Sequence, residues 1–546
     1  MLRRSFLLFT FYFFTIAAFA QASPQGPVGK PKLVVGLVID QMRWDYMYRY
    51  NSLYGQGGFK RLLKQGFSAE NAMIPYVPTY TAVGHTCIYT GSVPAISGIV
   101  GNNWFDKATG KGVYCTDDST VSTVGNNGVA GKMSPDNLWV TTVTDELRLS
   151  NNFKSKVIGI ALKDRGAILP AGHSANAAYW YDDQAGKWIT STYYMQNLPD
   201  WVNQFNAGDL PAKYMSSDWN TLYPISKYDL SSADDEPYET AIKGEKGVIF
   251  PHFLSKISKQ DLYASFKTTP FANTYTFDFA KAAVEKEAMG KGSVTDFLAV
   301  SISSTDYIGH SFGPNSVEIE DTYLRLDKDI ADFLAYLDKT IGAGNYLFFL
   351  TADHGVAHIP AFLNEHKLPG GTFSENTIAR DINAAVDSAF GIPKVVKTVM
   401  NYQVYLNDAA ISAAGKDKEA IEKLVIKKLK QQPYIITAFA LEEIAETALP
   451  QPQRDMMING YNPKRSGDIQ FTFKPGYFDG GNKGTTHGLW NPYDAHIPCV
   501  FFGWGVKPGK TNRETYMTDI TPTIAALLHI QMPNGCVGKV ITEVVK

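Results

Sequence analysis

Asn345-Tyr-Leu-Phe-Phe-Leu-Thr-Ala-Asp-His-Gly355 is the stretch on which the reading of this chain turns. Tyr346 to Leu350 form a short, aromatic, uninterrupted apolar run, the pattern of a strand covered on both faces. Where the run stops, Asp353 and His354 stand side by side ahead of Gly355. Open α/β sheets collect function at the carboxyl ends of their strands. A carboxylate and an imidazole there read as metal ligands or as a catalytic pair. The same two residues also fit a helix cap and a buried polar filler, so the rest of the chain has to decide.

Other runs repeat the pattern. Leu33 to Ile39 is a continuous apolar run ending in Asp40, which is a ligand candidate or the N-cap of a helix carrying Met42 to Tyr50. Lys156 to Leu162 ends in Lys163-Asp164-Arg165; strand alternation puts Lys163 and Arg165 on one side, where two cations suit an oxyanion or simply a solvated strand end. Phe297 to Ile302 is followed by Asp306 and His310, and then by an amphipathic helix with Tyr323, Leu326, Ile330, Phe333, Leu334 and Leu337 on one face. That helix feeds the Tyr346 strand, a βαβ unit. Ile497 to Phe502 is a late strand, and Asp519 to Leu528 a closing helix with Thr521 as its cap and Pro522 at its first position. The predicted class is α/β, with a mostly parallel central sheet covered by helices on both faces. Its core is expected over 31–169, 292–359 and 481–546. Two loosely patterned inserted cap segments, 170–291 and 360–480, separate these parts; the second carries one clear helix, Asp417 to Gln432.

With 45% apolar and 19% charged residues the composition is ordinary for a globular chain. A net charge of −2 without a basic run argues against nucleic acid as partner. The N-terminus reads as a secretory signal over 1–20. Arg3 and Arg4 supply the charged region, Phe6 to Ile16 the apolar one, and Ala18-Phe-Ala20 the cleavage site. The mature chain, 21–546, is then expected to be exported, periplasmic or secreted, and free of the membrane. Cys87, Cys115, Cys499 and Cys536 allow three pairings. Closeness in sequence favours Cys87–Cys115 and Cys499–Cys536, with buried free thiols as the alternative.

Several side chains compete for the chemistry. Thr81 follows Pro78 at the start of a helix running to about Thr90; its hydroxyl lies either in the field of the helix terminus or in a plain cap. His85 one turn on reads as a core histidine. Gly98-Ile-Val-Gly-Asn102-Asn-Trp104 is a glycine-punctuated loop. Gly309-His-Ser311-Phe-Gly313 matches the nucleophile elbow of serine hydrolases, with Asp353 and His487 in a fitting order. The elbow needs a strand running straight into the serine, whereas the apolar run ends at Ile302. A metal reading uses more of the residues. Asp40, Asp306, His310, Asp353, His354 and His487 are six N/O ligands, which divide into two sites of three with an open position each. Paired metals roughly 3.5–4 Å apart serve phosphoryl transfer.

Taken together, Asp40 after a strand, Pro78-Thr-Tyr-Thr81 opening a helix, Asp306-x-x-Gly-His310-x-x-Gly-Pro314, Thr351-Ala-Asp353-His354-Gly355 and Thr486-His487-Gly488 resemble the alkaline phosphatase superfamily. They resemble most its PafA-type periplasmic phosphatases and its nucleotide pyrophosphatase/phosphodiesterases. The resemblance implies two Zn²⁺ per chain, one held by Asp306, His310 and His487, the other by Asp40, Asp353, His354 and Thr81. It implies Thr81 as a nucleophile that becomes phosphothreonine, and Asn102, Lys163 and Arg165 as phosphate-binding groups. The expected activity is hydrolysis of small-molecule phosphate monoesters by a monomer, since two cations favour a dianion. A phosphodiesterase on the same scaffold is the alternative, and a serine hydrolase using Ser311 a distant one.

Overall fold

The computed structural model describes residues 29–545, so the expected signal segment lies outside the described residues. Pro31–Lys546 forms one compact unit. Ten strands build its central sheet: β1 Leu33–Ile39, β2 Phe67–Ala69, β3 Thr123–Val124, β4 Val157–Ala161, β5 Ala177–Asp182, β6 Lys187–Ser191, β7 Asp296–Ile302, β8 Tyr346–Thr351, β9 Cys499–Gly503 and β10 Gly509–Thr511. Their order is β10-β2-β9-β8-β1-β7-β4-β5-β6-β3. The middle, β8-β1-β7-β4-β5, is parallel. Its strands β1, β4, β7 and β8 are wholly buried, as continuous apolar runs require. Antiparallel pairing of β9 on one side and β6 on the other makes the whole sheet mixed.

Register decides where function can sit. Leu33 of β1 lies opposite both Asp296 of β7 and Tyr346 of β8, and Ser301 of β7 lies opposite Ala161 of β4. The carboxyl ends of all four strands therefore reach one edge together. Asp40 leaves β1 there, with its N–H on the Ile302 carbonyl at 3.0 Å. Four helices position the rest: α1 Thr81–Thr90, α2 Asp164–Ala171, α3 Ser304–Phe312 and α4 Val317–Leu337. All six apolar positions expected on one face of α4 are buried.

Some local expectations give way. The sheet runs past residue 169: β5 and β6, in the stretch expected to be an insertion, extend it, because Tyr179-Trp-Tyr181 and Trp188-Ile-Thr190 are runs of aromatic and β-branched residues that favour strands. Between 360 and 480 a separate antiparallel sheet, ordered Val396–Met400, Gln403–Leu406, Ile469–Phe473, Ile435–Ala440, packs with helices Glu375–Phe390 and Lys418–Lys430 around its own apolar cluster. The helix expected from Met42 shrinks to Tyr46–Arg49. Asp519, not Thr521, precedes the closing helix Ile520–Leu528; the Thr521 hydroxyl instead donates to the Ile88 carbonyl. All four cysteines are free. Cys115 adjoins Asn102 through a backbone bond, whereas Cys87 sits inside α1, and Cys536 lies against Gly91 at the end of that helix. Proximity in sequence was the wrong guide to proximity in space.

Candidate active site

Thr81 is the first residue of α1 and is 1% exposed. Tyr80 holds the cap position and caps nothing with its side chain. The Thr81 hydroxyl is thus free of helix duty, and its Oγ1 lies 3.4 Å from His354 Nε2. Gly84 permits this approach. A Cβ there would lie 2.3 Å from the Asp353 carbonyl oxygen, so only glycine lets α1 rest on the end of β8. His85 ties the helix down from within: its ring nitrogens meet the Thr81 carbonyl and the Ser301 hydroxyl, both at 2.8 Å. That is a structural role.

Around Thr81 the six ligand candidates converge. His310 Nε2 and His487 Nε2 stand 3.2 and 3.6 Å from Asp306 Oδ1. His354 Nε2 stands 3.5 Å from Asp40 Oδ1 and 3.4 Å from Asp353 Oδ2. Two groups reach metal-binding closeness, Asp306-His310-His487 and Asp40-Asp306-His354. Asp306 belongs to both, while the resemblance had assigned it to one. The imidazoles of His354 and His487 stack at 3.5 Å between centroids, which joins the two groups.

The residues fit divalent cations on three counts. Each of the three histidines has its Nδ1 beside a backbone carbonyl: Thr485 for His310 at 2.7 Å, Gly355 for His354 at 2.9 Å, Thr79 for His487 at 2.8 Å. This engages Nδ1 and leaves every Nε2 turned toward the carboxylates, the arrangement that metal-ligating imidazoles adopt. Burial keeps His354 and His487 below the ordinary imidazole range, hence neutral, while on His310 Asp306 outweighs burial and raises it. Second, Asp40 Oδ1 and Asp353 Oδ2 are buried without a hydrogen-bond partner, which is costly unless something else meets them. Third, three buried carboxylates face one ammonium. Lys163 Nζ reaches Asp40 Oδ2 at 2.7 Å and Asp306 Oδ2 at 2.5 Å. Burial and then Asp353 push Asp40 well above the carboxylate range, the mark of negative charge short of compensation.

The phosphate-binding candidates are less symmetric than strand alternation predicted. β4 ends at Ala161, so Lys163 precedes α2 in extended conformation and Arg165 lies in its first turn. Alternation does not carry past the strand. Lys163 turns to the carboxylates, and Arg165 donates from Nη1 to the Tyr114 hydroxyl at 3.0 Å. Arg165 Nε is buried and unpartnered. Asn102 stands at Thr81: its side-chain oxygen accepts the Ala82 N–H at 2.9 Å. Ser311 lies inside α3, not at the end of a strand, and the Nδ1 of His487 faces Thr79. The elbow reading ends there.

Residues 34–496 match the family described as type I phosphodiesterase / nucleotide pyrophosphatase. The chain belongs to this family. Among proteins it resembles, alkaline phosphatase PhoV of Synechococcus elongatus is 55% identical over 95% of this chain and 94% of that one. Alkaline phosphatase PafA of Elizabethkingia meningoseptica is 51% identical over 96% of each. A crystal structure of wild-type PafA matches with a TM-score of 0.92 at 50% identity, covering 95% of this chain and all of that one. A Myroides odoratus protein named calcium-transporting ATPase is 56% identical over 98% of this chain and 97% of its own. Among the described residues of the present chain no helix is long and apolar enough to cross a membrane.

Two supports of this phosphodiesterase-family site carry no signature in sequence. Gln41 adopts φ 64°, a left-handed conformation rare for a non-glycine residue. From it the Gln41 N–H reaches Asp353 Oδ1 at 3.1 Å and its side-chain amide reaches Asp306 Oδ1 at 2.6 Å. One residue thereby spaces carboxylates of both groups. The other is Tyr114, whose hydroxyl accepts from Arg165 Nη1 at 3.0 Å.

Proposed function

We propose that this chain is a zinc-dependent alkaline phosphatase that hydrolyses small-molecule phosphate monoesters through a phosphothreonine at Thr81. One observation carries the reading: three histidines with Nδ1 engaged and Nε2 open meet shared carboxylates beside a hydroxyl that has no structural duty. Asp306, His310 and His487 would hold one Zn²⁺, and Asp40, Asp353, His354 and Thr81 a second. Bound zinc supplies Lewis acidity, lowering the pKa of a coordinated hydroxyl and offsetting phosphoryl charge. Thr81 Oγ1 bonds to phosphorus as the ester oxygen leaves with a proton. Water then cleaves the phosphothreonine, releasing inorganic phosphate and restoring the hydroxyl.

Asn102, Lys163 and Arg165 bind the nonbridging oxygens. Buried Lys163 stays charged, since Asp306 and Asp40 outweigh the effect of burial. Two cations favour a monoester dianion over a diester, which separates this reading from the phosphodiesterase one. The signal-like N-terminus supports export of the mature chain, which would act as a monomer.

The test compares hydrolysis of an aryl phosphate monoester with the matching diester. Monoester turnover should dominate, vanish with chelation and return with zinc. Acid-quenched enzyme should carry phosphate on Thr81 and lose it in Thr81→Ala. Dominant diester turnover, or label on Ser311, would overturn the reading.

A further inference from the structure

A short hairpin links the groups expected to grip phosphate. Its strands, Asn103–Asp106 and Lys111–Tyr114, begin one residue after Asn102 and pair Asn103 with Tyr114. The Cys115 N–H closes the far side onto the Asn102 carbonyl at 3.0 Å. The open end of the hairpin therefore holds Asn102 on one strand beside Tyr114 on the other. The Tyr114 hydroxyl donates to Asp164 Oδ1 at 2.8 Å and accepts from Arg165 Nη1 at 3.0 Å. Directions are fixed by chemistry: a guanidinium only donates and an ionised carboxylate only accepts. The second oxygen of Asp164 takes the Thr116 hydroxyl, so the anchor is itself anchored. Outside this chain of bonds Arg165 keeps a buried Nε with no partner. Burial pushes the Tyr114 hydroxyl well above its ordinary range. It remains protonated, and the bond to Asp164 survives, in alkaline solution.

We propose that Tyr114 is a positioning residue that fixes the Arg165 guanidinium relative to Asn102, so that the two bind phosphoryl oxygens as one unit. A fork held at one nitrogen presents its remaining N–H groups in a set plane, the condition for binding two oxygens at once. Without the hydroxyl, Arg165 keeps its charge and loses its orientation. The inference rests on the monoesterase reading above and adds a specificity-determining residue to it.

Tyr114→Phe removes only the hydroxyl; because it leaves Asp164 Oδ1 and Arg165 Nη1 without that partner its melting midpoint should fall slightly, and activity is compared on the folded fraction. Its kcat/KM on an aryl phosphate monoester should fall about three- to tenfold, the worth of one such hydrogen bond. The inhibition constant of inorganic phosphate should rise by a similar factor, and diester turnover should change less. In an Arg165→Ala background, Tyr114→Phe should cost nothing further, because coupled residues are non-additive. The same loss with and without Arg165, or no loss in either, would overturn the proposal. If Arg165→Ala itself left monoester turnover and phosphate inhibition intact, the phosphate-binding role of Arg165 would fail, and the role of Tyr114 with it. Monoesterase activity and the Thr81 label would still stand.

Discussion

Two regions of this molecule bury histidine among carboxylates, and they are built in opposite ways. At the sheet edge, His310, His354 and His487 spend Nδ1 on backbone carbonyls and keep Nε2 open. Beside α4, His252 spends both nitrogens on carboxylates, Nδ1 at 2.9 Å from Glu245 and Nε2 at 3.2 Å from Glu318. Burial works against charge on His252, but the bonds to Glu245 and Glu318 prevail and raise it to about 9. It is an imidazolium held between two carboxylates. Among the described residues only the sheet edge brings three ligand side chains to metal-binding closeness. The difference teaches that burial and acidic neighbours do not make a metal site; an uncommitted nitrogen does.

Exchanging the damage between the two regions breaks the comparison most strongly if it is wrong. His354→Ala should lower monoester turnover by more than about 100-fold, because a metal ligand matters more than the outer partners that already cost 10–100-fold. His252→Ala should keep turnover in the folded fraction and lose about 3–5 kcal/mol of stability, since it strands a buried carboxylate. Chemical denaturation and steady-state rates on both variants decide it. Loss of turnover from His252→Ala with stability intact would erase the distinction.

The smaller effect is a pH dependence. His252 has a folded pKa of about 9, above the roughly 6.5 of an exposed imidazole. Its contribution is fully present below pH ~6.5 and is lost as pH rises through about 9. Glu239, raised to about 10 by burial and then by Glu318, acts in the same direction: its neutral form is favoured by folding and that gain is lost as pH climbs toward 10. Stability should therefore decline between pH 7 and 10 by up to about 3 kcal/mol from His252, and less steeply in His252→Gln. A flat profile in the wild type would remove the ion-paired account of that cluster.

Much of this was legible in the sequence because the strands of a covered parallel sheet are continuous apolar runs, and a polar residue ending such a run stands out. Asp40, Asp353 and His354 were found that way, and the register places them at one edge. What escaped was whatever depended on tertiary neighbours. Gln41 looks like an ordinary loop residue until its left-handed backbone aims it at two carboxylates. Tyr114 reads as one aromatic in a short strand, and its worth lies in Asp164 and Arg165, some 50 residues on. Period-2 reasoning failed at Lys163 and Arg165 because a helix begins between them. The cysteine pairing failed because sequence separation says little about distance within a folded core.

Zinc counted per chain, after exhaustive dialysis against metal-free buffer, tests the open-nitrogen account most directly. Wild type and His252→Gln should each retain two, and His354→Ala fewer. A fully active wild-type enzyme with no stoichiometric metal, or one that loses zinc on changing His252 but not His354, would contradict it.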